Sequence, residues 1–248
     1  MATAAIQRSR TGYEAWQDGI NKALNNPAWD AHDCDIRIAV SEYNQYLSNT
    51  QGYIYLDWKL IKAMLWVESG AKSKEWKVKP MQIGVNGDPG LNAFLSDKEG
   101  GELILPPSLQ GRLNSGNAKA IPYYNIRAGI GYMLMRMANY DYASTAGTDT
   151  KIYEIAVKPG DSLDKIARTQ GTTIATLKKL NLATENLRPG QILKYYKASV
   201  QKVILGWNVP TSQMIASRYN GGKDKRYSQK LDYALAILRQ GKGAVCLP

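Results

Sequence analysis

The chain has 248 residues, with 32 Lys and Arg against 21 Asp and Glu, for a formal net charge of +11. This length can bury a real core and leaves room for one large domain or two smaller ones, and the composition reads as globular. The basic balance points to polyanionic surroundings, namely nucleic acid, anionic membrane or cell wall. The Lys-rich stretch Lys72 to Lys79 has no nucleic-acid motif around it, so no nucleic-acid partner is expected.

Met1 to Arg10 lack the continuous apolar stretch of a secretory signal, which predicts synthesis in the cytoplasm without a signal peptide. Residues 11 to 29 read as an amphipathic helix with Tyr13, Trp16, Ile20 and Leu24 on one face, ended by Asn25-Asn26-Pro27. His32 falls in a polar turn, Asp30 to Asp33, and with a single His and no Cys-rich spacing neither a metal site nor a cofactor is expected. Cys34 and Cys246 form either a disulfide in an oxidising compartment or two buried free thiols. A second helix begins at Asp33 or Asp35 as N-cap, with Ile36, Val40, Tyr43 and Leu47 inward.

Asp57 caps the next helix and Gly70 stops it. Its run Leu60-Ile-Lys-Ala-Met-Leu-Trp-Val-Glu-Ser-Gly70 is apolar on most of its circumference, too short for a transmembrane span, and interrupted by Lys62. Glu68 sits at the exit of this buried helix. A carboxyl there loses water, its charged form is disfavoured and its pKa rises, as a general acid near neutral pH requires. The alternative is a Glu that reaches solvent or pairs with Lys72 or Lys74.

Between Val85 and Pro122, Gly, Asn, Pro and Ser predict loops with short helices at 90 to 96 and 106 to 113. Asn125 to Tyr140 returns to helix, with Ile126, Ile130, Met133, Leu134 and Met137 as its apolar face and Gly129 and Gly131 allowing another helix to approach closely. Residues 143 to 151 read as a linker. A strand at 152 to 157, helices at 162 to 167 and 173 to 180, and a closing strand entered through Leu187 to Lys194 make a βααβ unit. Helical text resumes at Val200 with Val203, Ile204 and Leu205, followed by a cap at Thr211 and a last helix from Ser228 to Arg239.

Four ordered motifs stand along this framework: Glu68-Ser69-Gly70, Pro80-Met81-Gln82-Ile83-Gly84, Tyr124-Asn125-Ile126-Arg127-Ala128-Gly129, and Ala216-Ser217-Arg218-Tyr219-Asn220-Gly221-Gly222. Together they resemble the soluble lytic transglycosylase family, which has a goose-type lysozyme-like fold, over roughly residues 35 to 145 and 199 to 240. Residues 152 to 196 resemble a LysM module through Val157-Lys-Pro-Gly-Asp-Ser-Leu163, Ile166-Ala167, Leu177, Asn181 and Leu187-Arg-Pro-Gly-Gln-Ile-Leu193. The expected architecture is mainly α: a helical extension at 1 to 34, and a discontinuous lysozyme-like catalytic domain at 35 to 145 and 199 to 248. The βααβ module at 152 to 196 interrupts it. Insertions of this kind survive where both ends leave a surface loop.

The resemblance implies cleavage of the bond between N-acetylmuramic acid and N-acetylglucosamine in peptidoglycan, with Glu68 as acid and then base, leaving 1,6-anhydro ends. It implies substrate-facing roles for Ser69, Met81, Gln82, Asn125, Tyr219 and Asn220, with the Tyr219 hydroxyl directed to Glu68 or substrate. In the LysM segment it places a glycan groove between Gly160, Asp161, Ser162 and Leu163 on one side and Leu187, Arg188, Pro189 and Gly190 on the other. The pattern departs at Lys79-Pro80, which stands where the family carries Gly-Leu, and Ser73 is no secure counterpart of the family's assisting serine. Asp88 is either a turn residue beside Gly87 and Pro89 or a carboxylate that positions a water and makes the enzyme a hydrolase. Three functions stand open: a transglycosylase, a muramidase, and a non-catalytic wall-binding protein. Delivery as a phage lysin or as an effector of a contact-dependent secretion machine such as a type VI system would bring a secretion-machine or immunity partner and action in the periplasm or cell wall.

Overall fold

The computed structural model describes residues 11–96, 98–241 and 246. The reading of the first ten residues as lacking a secretory signal therefore lies outside the described residues. The chain divides into two compact units, one formed by residues up to Asn139 together with those from Leu205 onward, the other by Tyr140–Ile204. Among the described residues no helix is long and apolar enough to cross a membrane.

The first unit is helical. α1 (Gly12–Asn21) starts on a capping box between Thr11 and Glu14 and stops at Asn21, short of the predicted end. The chain then turns through Asn25, whose φ of 59° breaks the helix, and Asn26 caps α2 (Pro27–Asp30). α3 (Asp33–Leu47) buries Ile36, Val40, Tyr43 and Leu47 as the periodicity predicted. Its start differs: His32 is the N-cap and makes no side-chain cap bond, and Asp33 is turned inward. The reason is α4 (Trp58–Glu68), whose Lys62 is 1% exposed and meets Asp30 at 2.5 Å and Asp33 at 2.6 Å. A buried ammonium needs compensating charge, and that need outweighs a local cap. His32 likewise leaves the polar turn expected of it; it is buried against the Trp76 ring and its Nε2 lies 2.8 Å from the Trp76 carbonyl.

Beyond a short 3₁₀ turn at Lys74–Lys77 come α5 (Gly90–Leu95), α6 (Gly101–Ile104), α7 (Ser115–Ala120) and α8 (Pro122–Met137). The helix predicted at 106 to 113 is a series of turns. Pro106 and Pro107 and the positive φ of Gly111 deny it helical geometry, although Leu109 and Leu113 are still buried. α8 ends at Met137 rather than Tyr140, because the chain becomes extended at Ala138.

β1 (Ala138–Ala146) begins there, so the first part of the predicted linker is a strand. The Val200 segment, expected to be helical, is also a strand, β4 (Ala198–Trp207), and the two pair with each other. Each supplies what the other lacks, a hydrogen-bonding edge from beyond the whole intervening βααβ segment, which no local pattern reveals. Between them, β2 (Tyr153–Ala156) and β3 (Ile192–Tyr195) pair antiparallel with Tyr153 opposite Tyr195 and Ala156 opposite Ile192. α9 (Leu163–Gln170) and α10 (Ile174–Leu180) complete the βααβ unit over a core of Val157, Ile166, Ala167, Leu177, Leu193 and Tyr195.

The chain returns to the first unit as α11 (Ser212–Arg218) and α12 (Tyr227–Gln240), and α12 packs along α4. Cys246 then forms a disulfide with Cys34 at the start of α3, with Cα atoms 5.5 Å apart across a sequence separation of 212. Closing so long a loop restricts the unfolded chain strongly. Replacing Cys34 by Ser is expected to cost about 2–5 kcal/mol of stability, and reduction with dithiothreitol should lower the wild-type melting temperature to the Cys34→Ser value without altering that of the variant.

Candidate active site

Glu68 occupies the last turn of α4, where the burial of Ile61, Met64, Leu65 and Trp66 fixes the helix. The helix stops because Gly70 adopts φ 65°, and its amide, like that of Ser69, bonds the Leu65 carbonyl at 3.1 Å. A Cβ at Gly70 would come within 3.0 Å of the Trp29 ring, itself packed edge-on against Trp66 at 5.4 Å between centroids. The carboxyl therefore projects from a rigid, apolar stem. Glu68 lines a cleft of about 320 Å³ shared with Met81, Gln82, Ile83, Val85, Asp88, Tyr132, Tyr219, Asn220 and Lys223.

The partner of the carboxyl is not Lys72 or Lys74. Tyr227, at the first turn of α12, donates its hydroxyl to Glu68 Oε1 at 2.7 Å. Burial raises the Glu68 pKa from 4.5 to about 7; the Tyr227 hydrogen bond and Lys223 oppose that rise, while the charges of Asp88 and Asp224 reinforce it. Burial also pushes the Tyr227 and Tyr219 phenols well above their ordinary value, so both stay protonated and act as donors.

The loop from Pro80 to Gly84 forms the facing wall, and side chains hold its peptide groups. Asn125 Oδ1 accepts from the Met81 amide at 2.9 Å, and Asn125 Nδ2 donates to the carbonyls of Ile83 at 3.1 Å and Ala118 at 2.8 Å. Tyr219 donates to the Met81 carbonyl at 2.8 Å. Asp88 receives the amides of Gly84 at 2.9 Å and Gly90 at 3.0 Å. Met81 packs on Gly129 of α8, where a Cβ would lie 2.6 Å from the Met81 Cβ, so the element that approaches this glycine is the loop and not the helix expected there. These restraints hold Gln82 at φ 54°, a left-handed conformation costly for a side-chain-bearing residue and characteristic of functional loops. Gln82 lines the cleft.

The residues singled out by the motifs therefore divide. Glu68, Met81, Gln82, Asp88, Tyr219 and Asn220 share the cleft. Asn125 does not line it: it is wholly buried and its hydrogen bonds are spent on the loop and on Ala118 of α7. Ser69 also turns away, donating to the Pro80 carbonyl at 2.9 Å. Tyr219 lines the cleft with its ring, but its hydroxyl holds Met81 rather than Glu68. Asn220 Oδ1 accepts from the Asp224 amide at 2.9 Å. Tyr227, Tyr132 and Lys223 were missed by sequence reasoning. A signal for Tyr227 existed, since it continues the inward stripe of Leu231, Ala234 and Leu238, and a buried tyrosine needs a partner for its hydroxyl. Among the described residues no group of His, Cys, Asp and Glu is arranged to hold a metal.

In the second unit, Val157 brings the two predicted groove walls side by side: its amide donates to the Gln191 carbonyl and its carbonyl accepts from the Gly190 amide, both at 2.8 Å. Gly160 and Gly190 take positive φ of 79° and 85°, and a Cβ at either would meet nothing. Asp161 is tied into its own turn by the Lys158 amide at 2.9 Å and by Lys165 at 3.0 Å, which hold its carboxyl below the usual range. Ser162 caps α9, and Leu163 and Leu187 pack on the core. Arg188, Pro189 and Gly190 remain exposed. A concavity of about 820 Å³ on this unit takes in Arg188, Gln191 and the stretch Asn181 to Asn186, but none of residues 160–163.

A mainly helical unit with a buried carboxyl in a polar cleft and a small βααβ unit thus share one chain. Residues 155–195 match the family model of the LysM domain, which supports a peptidoglycan-binding module. No curated protein and no solved structure matches the chain.

Between pH 4.5 and about 7 the folded chain holds on Glu68 a proton that the unfolded chain has lost, so this group's contribution to stability falls as pH rises through that window. Glu68→Gln should accordingly stabilise the protein by about 2–3 kcal/mol at pH 8, with a much smaller gain at pH 4, measured by denaturant unfolding at the two pH values. Tyr227→Phe removes the hydrogen bond that opposes the rise; carboxyl titration by NMR should show the Glu68 pKa higher still.

Proposed function

We propose that the first unit is the catalytic domain of a peptidoglycan-cleaving lytic transglycosylase with a lysozyme-like fold, and that the LysM segment holds it on the glycan. The observation that carries this reading is Glu68, a carboxyl with a pKa of about 7 in a cleft, bonded by the Tyr227 hydroxyl and faced by Gln82. Such a group is protonated often enough at neutral pH to act as an acid, and basic enough afterwards to act as a base.

In the reaction Glu68 gives its proton to the glycosidic oxygen as the bond from that oxygen to the muramoyl anomeric carbon breaks. The Glu68 carboxylate then takes the proton of the muramoyl C6 hydroxyl, whose oxygen bonds to the anomeric carbon. The products are a free 4-hydroxyl and a 1,6-anhydro end, water is not consumed, and the acid is regenerated. Tyr227 steadies the carboxylate between the two steps, while Gln82 and Asn220 supply hydrogen bonds to the sugar. Modest module affinity suffices, because tethering raises the local concentration of glycan at the cleft. The Cys34–Cys246 bond supports action outside the reducing cytoplasm, consistent with delivery to the periplasm or wall as a phage lysin or secreted antibacterial effector.

Asp88 favours a second reading. It lines the same cleft as Glu68, held by two backbone amides in a polar setting. A carboxylate so placed is suited to orient water against the anomeric carbon, which would make the enzyme a hydrolytic muramidase.

Digestion of purified peptidoglycan followed by mass spectrometry of the muropeptides separates the readings. Anhydro ends released by wild type, and reduced at least a thousandfold in Glu68→Gln, are the expected result. Reducing ends that disappear in Asp88→Asn would establish the muramidase. Release unaffected by Glu68→Gln would remove Glu68 as the acid, and no release from a folded sample would leave a wall-binding protein.

A further inference from the structure

The turn after α11 carries a cation into the cleft. Gly221 and Gly222 take φ of 67° and 70°, the Gly222 amide bonds the Ala216 carbonyl at 3.0 Å, and the Asp224 amide closes the turn on Asn220 Oδ1. With the backbone set in this way, Lys223 lines the same cleft as Glu68 and Asp88. Among the described residues that line the cleft it is the one cation, and the carboxyls there are Glu68 and Asp88. Its sequence neighbour Asp224 is engaged elsewhere, by Lys230 Nζ at 2.7 Å and the Arg226 amide at 2.9 Å. None of the ion pairs among the described residues includes Lys223. The side chain is exposed, so the fold does not need it.

A lone cation on the rim of a cleft that otherwise presents carboxylates has a chemical consequence. A neutral sugar chain gains little from it, whereas a chain carrying a carboxylate would without it be repelled by Asp88, and by Glu68 whenever that group is ionised. We propose that Lys223 selects glycan strands bearing a carboxylate next to the scissile linkage. The inference rests on the reading of the cleft as a muramoyl-cleaving site and names its substrate preference. On such strands the carboxylate has two sources, the lactyl group of the muramoyl sugar when it is unsubstituted, or the peptide stem attached through it. Selection also feeds back on the acid. Glu68 is faced by Asp88 from the loop, by Asp224 and Lys223 from the turn and by Tyr227 from α12, and Lys223 is the charge that lowers its proton affinity. A substrate carboxylate on Lys223 offsets that influence, so Glu68 holds its proton more firmly when the preferred strand is bound.

The test compares kcat/KM on three strands: stem-bearing, stem-stripped with free lactyl carboxylates, and stem-stripped with those carboxylates methyl-esterified. Wild type should prefer a carboxylate-bearing strand over the ester by about fivefold, Lys223→Met should reduce that ratio to near one, and Lys223→Arg should restore most of it. A stem-bearing strand cut faster than the stripped one identifies the stem as the source; the reverse order identifies the lactyl group. An equal rate on all three strands in wild type, or a ratio unchanged in Lys223→Met, overturns the proposal and leaves the enzymatic reading standing. Absence of Glu68-dependent cleavage of any strand overturns both.

Discussion

The structure of the first unit is organised around the desolvation of one carboxyl group. Burial of a carboxylate without compensation costs several kcal/mol, and a chain under no functional demand would place a lysine or open water beside it. Here Glu68 is offered a neutral phenol, which bonds the carboxyl without supplying a full opposite charge. The contrast with Lys62, one and a half turns earlier on the same helix, is instructive. That ammonium is more deeply buried, yet two aspartates neutralise it, and it pins α2 and α3 to α4. The middle of α4 is thus locked by full ion pairing, while its C-terminal end keeps a group with an accessible proton.

The second constraint is the rigidity of the loop opposite. Sugar recognition requires hydrogen-bonding groups held in place before the ligand arrives. Gln82 achieves this through a backbone conformation it would not choose alone, imposed by Asn125, Tyr219 and Asp88. The motif residues therefore act largely on one another. Asn125 and Tyr219 hold Met81 from its two sides, and Gly129 supplies the space for its side chain. Asn125, wholly buried, acts on the cleft through the loop it holds, so a substitution there would disturb the wall that carries Gln82.

The βααβ unit was the most legible part of the chain. Its strands, caps and turns are local, its core alternates regularly, and its glycines sit where positive φ is required. In the helical unit, Glu68, its apolar helix and the inward stripes of α3 and α8 were equally plain. What could not be read were contacts between distant segments. The inward turn of Asp33, the burial of His32 and the pairing of β1 with β4 each depend on a partner far away in sequence. The 106 to 113 stretch misled because its leucines are buried without a helix to carry them.

By itself the sequence determined that a glutamate would end a buried helix, because that follows from the polarity of neighbours within a few turns, while the fate of its carboxyl stood between burial and pairing with Lys72 or Lys74. It also determined the LysM segment, whose pattern closes within some forty residues. It left open whether Cys34 and Cys246 meet, which of several tyrosines serves Glu68, and whether Asn125 faces ligand or loop. Tertiary structure decided these, because hydrogen bonds and disulfides depend on distance and direction. Only the packing of α12 along α4 brings the Tyr227 hydroxyl to Glu68, across a sequence separation of 159.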